Sequence, residues 1–239
     1  KTVKKRNKIA AVVAVASCLV LPVWAATTNL TITADTLSYD GKTGRADAVG
    51  SVVITREDKT MTGASGWYNT KTEEGILTGG VSMIGQNMSM AASEVHSYHN
   101  NEFKATGNVH LQKDNKQVYG DEVTYNTSTD YGVVNGNGKL VMEDSVLTGD
   151  YIEGWMNQIK ANAKGNVTLF SAKHNLNATA DSAVYTQTPG QEDGVAYLTG
   201  NAHAVQNGNV LDAPQLKLEM KDNSVQTMGG RSTLVITPQ

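Results

Sequence analysis

The sequence predicts an all-β fold: one elongated body of about 14–16 antiparallel strands, built from seven repeats of about 29 residues. Three observations carry this. A small-acidic pair of residues returns at near-constant spacing. Apolar side chains within each unit tend to alternate with period two, the signature of strands. Gly, Thr, Val and Asn are frequent, while 6% of residues are aromatic and four are Pro, a composition that suits strands and turns and not a low-complexity linker.

The first unit is Ile32-Thr33-Ala34-Asp35-Thr36-Leu37-Ser38-Tyr39, followed by Gly50-Ser51-Val52-Val53-Ile54. Its anchor pair returns as Gly63-Ala64, Ala92-Ser93, Gly120-Asp121, Gly149-Asp150, Ala180-Asp181 and Asp212-Ala213, at spacings of 29, 29, 28, 29, 31 and 32 residues. The last unit is the loosest, with Pro214 after the anchor and Ser232, not Val, two residues after Gly230.

The second half of each unit alternates most cleanly. Ala46, Ala48, Gly50, Val52 and Ile54 share one face, against Arg45, Asp47, Ser51 and Thr55. The same phase gives Leu77, Gly79, Val81, Met83, then Ala105, Gly107, Val109, Leu111, then Gly138, Leu140, Met142. It continues as Ala161, Ala163, Gly165, Val167, Leu169 and as Leu198, Gly200, Ala202, Ala204. The recurring glycine reads either as a bend or as room for something to approach the backbone.

The first half breaks phase. Ile32 and Ala34 lie on one face, but Leu37 and Tyr39 lie on the other, so an extra residue is expected near Ala34-Asp35. A strand should therefore kink there, with the aspartate capping exposed backbone. Acids repeated across units are scaffold before they are catalysts. Polar turns separate the strands at Asp40-Gly41-Lys42, Glu57-Asp58-Lys59, Gly85-Gln86-Asn87, Lys113-Asp114-Asn115, Gln206-Asn207-Gly208 and Lys221-Asp222-Asn223. No stretch after residue 26 keeps a helical period, and residues 27–239 read as one domain.

Residues 1–25 read as an export signal: Lys1, Lys4, Lys5, Arg6 and Lys8, then an apolar run, then Val23-Trp24-Ala25 before Ala26. Two alternatives stand beside cleavage. Ile9–Ala26 could remain as a membrane anchor, since its 18 mostly apolar residues reach the lower limit of a span. Cys18 could be lipidated, although the apolar residues after it argue against this. Without residues 1–25 the chain has 15 basic and 23 acidic side chains, a net of −8, which disfavours nucleic acid.

Chemistry-bearing constellations are absent from the pattern. His96, His99, His110, His174 and His203 are scattered without metal-ligand partners. Gly132–Lys139 departs from a phosphate loop, with Leu140 where Ser or Thr is needed. No nucleophile elbow stands out. Trp67, Trp155, Phe103 and Phe170 are expected in the core, and Tyr39, Tyr125 and Tyr185 recur as structural residues. No catalytic residue, metal or cofactor is expected.

The run Ala34-Asp35-x-Leu37-x-Tyr39-Asp40, with Gly50-x-Val52-x-Ile54, resembles the OstA-like family of lipopolysaccharide-transport proteins typified by LptA. The likeness returns at Gly120-Asp121-Glu122-Val123-Thr124-Tyr125-Asn126 and at Gly107-Asn108-Val109. It implies a twisted open β-jellyroll, without enzymatic activity, in the periplasm. It implies lipopolysaccharide acyl chains in an apolar groove, transport components of the inner and outer membranes docked at the ends, and head-to-tail self-association. Val52, Ile54, Leu77, Val81, Met83, Val109, Leu111, Leu140, Met142, Val167, Leu169 and Leu198 are then the groove candidates. The strands at Leu30–Ala34 and Thr233–Thr237 are the candidate docking edges. A membrane-anchored, LptC-like member of the same system and a structural or adhesive surface β-repeat protein are the other readings.

Overall fold

A computed structural model describes residues 29–142, 144–155, 158–188 and 194–237. The expected export segment 1–25, with Cys18 and the Ile9–Ala26 run, lies outside the described residues.

The described residues form one antiparallel sheet of 16 strands. Two short strands begin it, β1 (Thr31–Thr33) and β2 (Thr36–Asp40). Twelve long ones follow: β3 (Arg45–Arg56), β4 (Lys59–Asn69), β5 (Gly75–Gly85), β6 (Met88–Ser97), β7 (Glu102–Lys113) and β8 (Lys116–Asn126), then β9 (Tyr131–Val141), β10 (Ser145–Trp155), β11 (Lys160–Ser171), β12 (Leu176–Thr186), β13 (Val195–Gln206) and β14 (Asn209–Glu219). β15 (Ser224–Met228) and β16 (Thr233–Val235) end it. From β3 to β14 each strand pairs with its neighbours in sequence, joined by the polar turns. At the two ends the place of a long strand is taken by a split pair: β1 and β2 both pair with β3, and β15 and β16 both pair with β14.

The register explains the broken phase and relocates its cause. Val49 pairs with Ser65, but Val52 pairs with Gly63, so β3 carries one residue more than β4. The same slip recurs between Thr78 and Val81 of β5, Thr106 and Val109 of β7, and Lys164 and Val167 of β11. The extra residue was expected at the small-acidic pair itself. It lies instead in the neighbouring strand, at Gly50-Ser51 and its equivalents. The bend needs two consecutive residues at positive φ, which Gly and Asn adopt more cheaply than Ala-Asp. The face switch in the first-half strands is nevertheless real. Met61 and Tyr68 of β4 are both buried despite opposite parity, as are Val118 and Tyr125 of β8.

These bends divide every long strand into two segments, and the sheet folds over along the line of bends. Segments such as 45–49 and 65–69 form one wall; segments such as 52–56 and 59–63 form the other. Inner side chains of both walls merge into one core. A void near the first strands shows the contact: Ala48, Gly66 and Leu77 line it from one wall, Ile32, Val52 and Ile54 from the other. The result is the expected all-β, jellyroll-like open sheet.

Candidate functional site

The site is a trough with a spine, an interior, a mouth and two ends. The spine is the line of bends. Gly50-Ser51, Gly79-Gly80, Gly107-Asn108, Gly136-Asn137, Gly165-Asn166 and Gly200-Asn201 all have positive φ. Opposite four of them stands an aspartate. Asn137 Nδ2 donates to Asp121 Oδ2 at 2.8 Å, Asn166 to Asp150 at 3.0 Å and Asn201 to Asp181 at 3.0 Å, while Ser51 Oγ reaches Asp35 at 3.3 Å. The carboxylates hold the bends, as capping acids should, but they cap the next strand and not their own. A Cβ on Gly50, Gly136, Gly165 or Gly200 would lie 2.3 Å from the facing carboxylate oxygen, so glycine is required there. Between bend and ligand access, the geometry selects the bend. In the fourth unit that glycine is Gly136 and not Gly138, which is buried beside the Gly149 carbonyl. The alternation missed the Gly-Asn dipeptides as left-handed pairs, although they were legible.

The interior is a continuous apolar column. All twelve groove candidates, Val52 to Leu198, fall in one core, and none is more than 9% exposed. The structure thus brings them together and closes them against each other. The void near Ile32 measures about 10 Å³ and another, between Leu147, Leu169 and the Ala161–Ala163 side, about 20 Å³. Each has room for about one water, so no acyl chain fits unless the walls part.

The mouth is the side opposite the spine, where the turns of the two walls meet. Near its first strands the buried guanidinium of Arg56, from one wall, lies beside Tyr68 of the other. Burial pushes the Tyr68 hydroxyl up, Glu73 adds to this, and Arg56 opposes it. Near the last strands His174, buried in the β11–β12 turn, bonds across to Asn223 in the β14–β15 turn. These tip residues carry no repeat signal; in the sequence His174 is one of the scattered histidines and Asn223 part of a polar turn.

The outer faces are polar with aromatic clusters. Trp67 and Trp155, expected in the core, lie half-buried on the outer face, and Phe170 is exposed; Phe103 alone of the four is buried. The two tryptophans instead take cations, Arg45 over Trp67 at 4.6 Å and Lys160 over Trp155 at 5.1 Å. Around Glu153, Tyr131 donates at 2.6 Å, Tyr151 at 2.9 Å and Asn162 at 2.8 Å. Burial raises the Glu153 carboxyl, but these three bonds outweigh it and leave the group below the usual carboxylate range. Tyr125 and Tyr185 are buried and structural, while Tyr39, in the split end strand, is 64% exposed. Among the described residues no cluster of His, Cys, Asp and Glu is arranged to hold a metal.

The ends are apolar and unpaired. Leu37, Tyr39 and Val49 are exposed at the first, and Met228, Leu234, Val235 and Ile236 at the last. The expected edges β1 and β16 are edges, and β2 and β15 complete them.

An open sheet folded around an apolar column, with free edges at both ends, defines a class of elongated β-trough proteins. The chain belongs to the LptA/(LptD N-terminal domain) LPS transport protein family, whose model matches residues 31–160. That is a family of transport proteins. The chain is also similar to a solved structure, that of LptH, the LptA homologous periplasmic component of the conserved lipopolysaccharide transport device from Pseudomonas aeruginosa. The identity is 12%, over 88% of this chain and 96% of that one, with a TM-score of 0.19. So low a score carries no argument about either chain. No curated protein matches. No helix among the described residues is long and apolar enough to cross a membrane.

Proposed function

We propose that this chain is a periplasmic lipid carrier and bridge component, which shelters the acyl chains of lipopolysaccharide in its interior on the way from inner to outer membrane. Residues 27–239 are its working body, delivered by the export segment. The observation that carries this reading is the apolar column shared by both walls from β3 to β14, in a member of a lipopolysaccharide-transport family. Each methylene exposed to water costs roughly 0.8 kcal/mol, so a lipid with several acyl chains needs such a lining to cross an aqueous space. An acidic body offers no cradle for lipid phosphates, so recognition rests on the acyl chains. The exposed apolar edges support docking of inner- and outer-membrane components, and of further copies head to tail, by strand addition.

One observation favours a second reading. The interior is filled, which is what a structural or adhesive β-repeat protein requires. Photocrosslinking in living cells separates the two. A photoreactive side chain at Val52, Met83, Val109 or Val167 is expected to give lipopolysaccharide adducts, and one at outward Thr55 or Gln112 is not. Adducts at neither set would remove the carrier reading and leave the structural one.

A further inference from the structure

Three polar side chains bridge the mouth at its C-terminal end. His174 occupies the turn between β11 and β12, and Gln206 ends β13; both belong to the wall of segments such as 167–171. Asn223 belongs to the turn between β14 and β15, at the tip of the other wall. His174 Nδ1 lies 3.0 Å from Asn223 Oδ1, and Gln206 Nε2 donates to the same oxygen at 2.7 Å. Gln206 also reaches the His174 carbonyl at 3.4 Å. These contacts join residues 49 and 17 positions apart, whereas turn-to-turn bonds such as Asn101 to Ser128 and Asn175 to Asn207 stay within one wall.

The trio is poorly explained as a stabilising element. His174 is only 7% exposed, and its Nε2 is closed off from water with no partner. A buried polar atom left unsatisfied detracts from stability, and an apolar side chain would fill this place better. The bonds do one thing an apolar contact would not: they fix one tip against the other in a directional way that breaks as soon as the tips separate. At the opposite side of the trough the aspartate-held bends keep both walls joined. The walls can therefore part only from the mouth.

We propose that His174, Gln206 and Asn223 form a latch that holds the mouth shut at the C-terminal end, and that its release lets the walls part to admit an acyl chain. The admission step rests on the carrier reading; the latch itself does not. Asn223 has φ of +59°, so Asn223→Gly keeps the turn while removing the shared acceptor. Asn101→Gly, at φ of +60° in a turn bonded only within its own wall, is the matched control.

The test uses the full chain with Cys18→Ser and spin labels on cysteines at Lys173 and Lys221, exposed on the two tips. Pulsed electron-electron resonance reads the distance across the mouth, and fluorescent lipopolysaccharide reads uptake. In Asn223→Gly the distance distribution is expected to lengthen and broaden, and lipid association to rise by about 5- to 25-fold, the scale of the two hydrogen bonds lost. Asn101→Gly should change neither. An unchanged distance in Asn223→Gly overturns the latch. A longer distance with an unchanged association rate, in a chain that binds lipid, overturns its role as a gate. If no chain binds lipid, the carrier reading and the gating role fall together, and the distance measurement alone decides whether the trio holds the walls.

Discussion

Gly165 tests whether the spine is a fixed hinge or a loose run of strand. Its φ is +72°, and a Cβ there would stand 2.3 Å from Asp150 Oδ2 and 2.8 Å from its Cγ. Gly165→Ala therefore meets two penalties. An L residue held in the left-handed region costs about 1–2 kcal/mol. Displacing the carboxylate also breaks the 3.0 Å bond from Asn166, worth about 0.5–1 kcal/mol at this exposed site. The sum is about 1.5–3 kcal/mol. Asp150→Ala alone removes the bond and should cost under about 1 kcal/mol. In the double variant the bond is already gone and the nearest remaining atom is the residue-150 Cβ, at 3.0 Å. The pair should then fall short of additivity by about 1 kcal/mol. Urea unfolding followed by circular dichroism measures all three. A Gly165→Ala protein within about 0.5 kcal/mol of wild type would refute the left-handed requirement. Strict additivity would refute the contact. Gly80 supplies the comparison, since it has φ of +76° but open space around its missing Cβ. Gly80→Asn, which restores the residue found at 108, 137, 166 and 201, should be nearly neutral.

Other expectations follow from the interior, the outer face and the ends. Leu140 is fully buried, so Leu140→Ala should lower stability by about 2–5 kcal/mol in the same urea assay. The Glu153 carboxyl is depressed in the folded chain, so its contribution is present near neutral pH and is lost as pH falls through the folded value, below 4.5. Thermal unfolding between pH 6 and pH 3 should accordingly show a shallower acid limb for Glu153→Gln than for wild type; equal slopes would deny the three bonds a role. Leu234→Lys with Ile236→Lys, at exposed positions of the last edge, should abolish concentration-dependent end-to-end oligomers in light scattering while leaving the unfolding midpoint within about 1 kcal/mol equivalent.

The alternation of Val52 with Ile54, or Val109 with Leu111, sufficed to place the inward column, because burial on one face of a pleat imposes period two. The phase break at Leu37 and Tyr39 correctly announced a bend. Its location misled, because a register slip can be supplied by either partner of a strand pair, and only the left-handed preference of Gly50-Ser51 or Gly136-Asn137 says which. The tryptophans misled for another reason. Trp67 and Trp155 are expected in the core, but a wide aromatic on an outer face can cover its neighbours and take a cation, which sequence spacing does not distinguish from burial. The mouth was illegible. His174 and Asn223 meet through the folding of one wall onto the other, and no local pattern encodes that.

A filled interior and a lipid-carrying interior are less opposed than they look. Parting the walls exchanges contacts among Leu, Val and Met side chains for contacts between those side chains and acyl carbon. Lipid tails are as apolar as leucine, so that exchange is close to neutral. The bends at the spine keep their Asp–Asn bonds, which lie outside the interior and need not change. Among the described residues, the polar contacts that opening breaks at the mouth include those of Arg56 at one end and of His174, Gln206 and Asn223 at the other. Under the carrier reading, the free energy of admission is therefore set by a few polar groups at the rim, and the length of the column sets only how much chain it can hold.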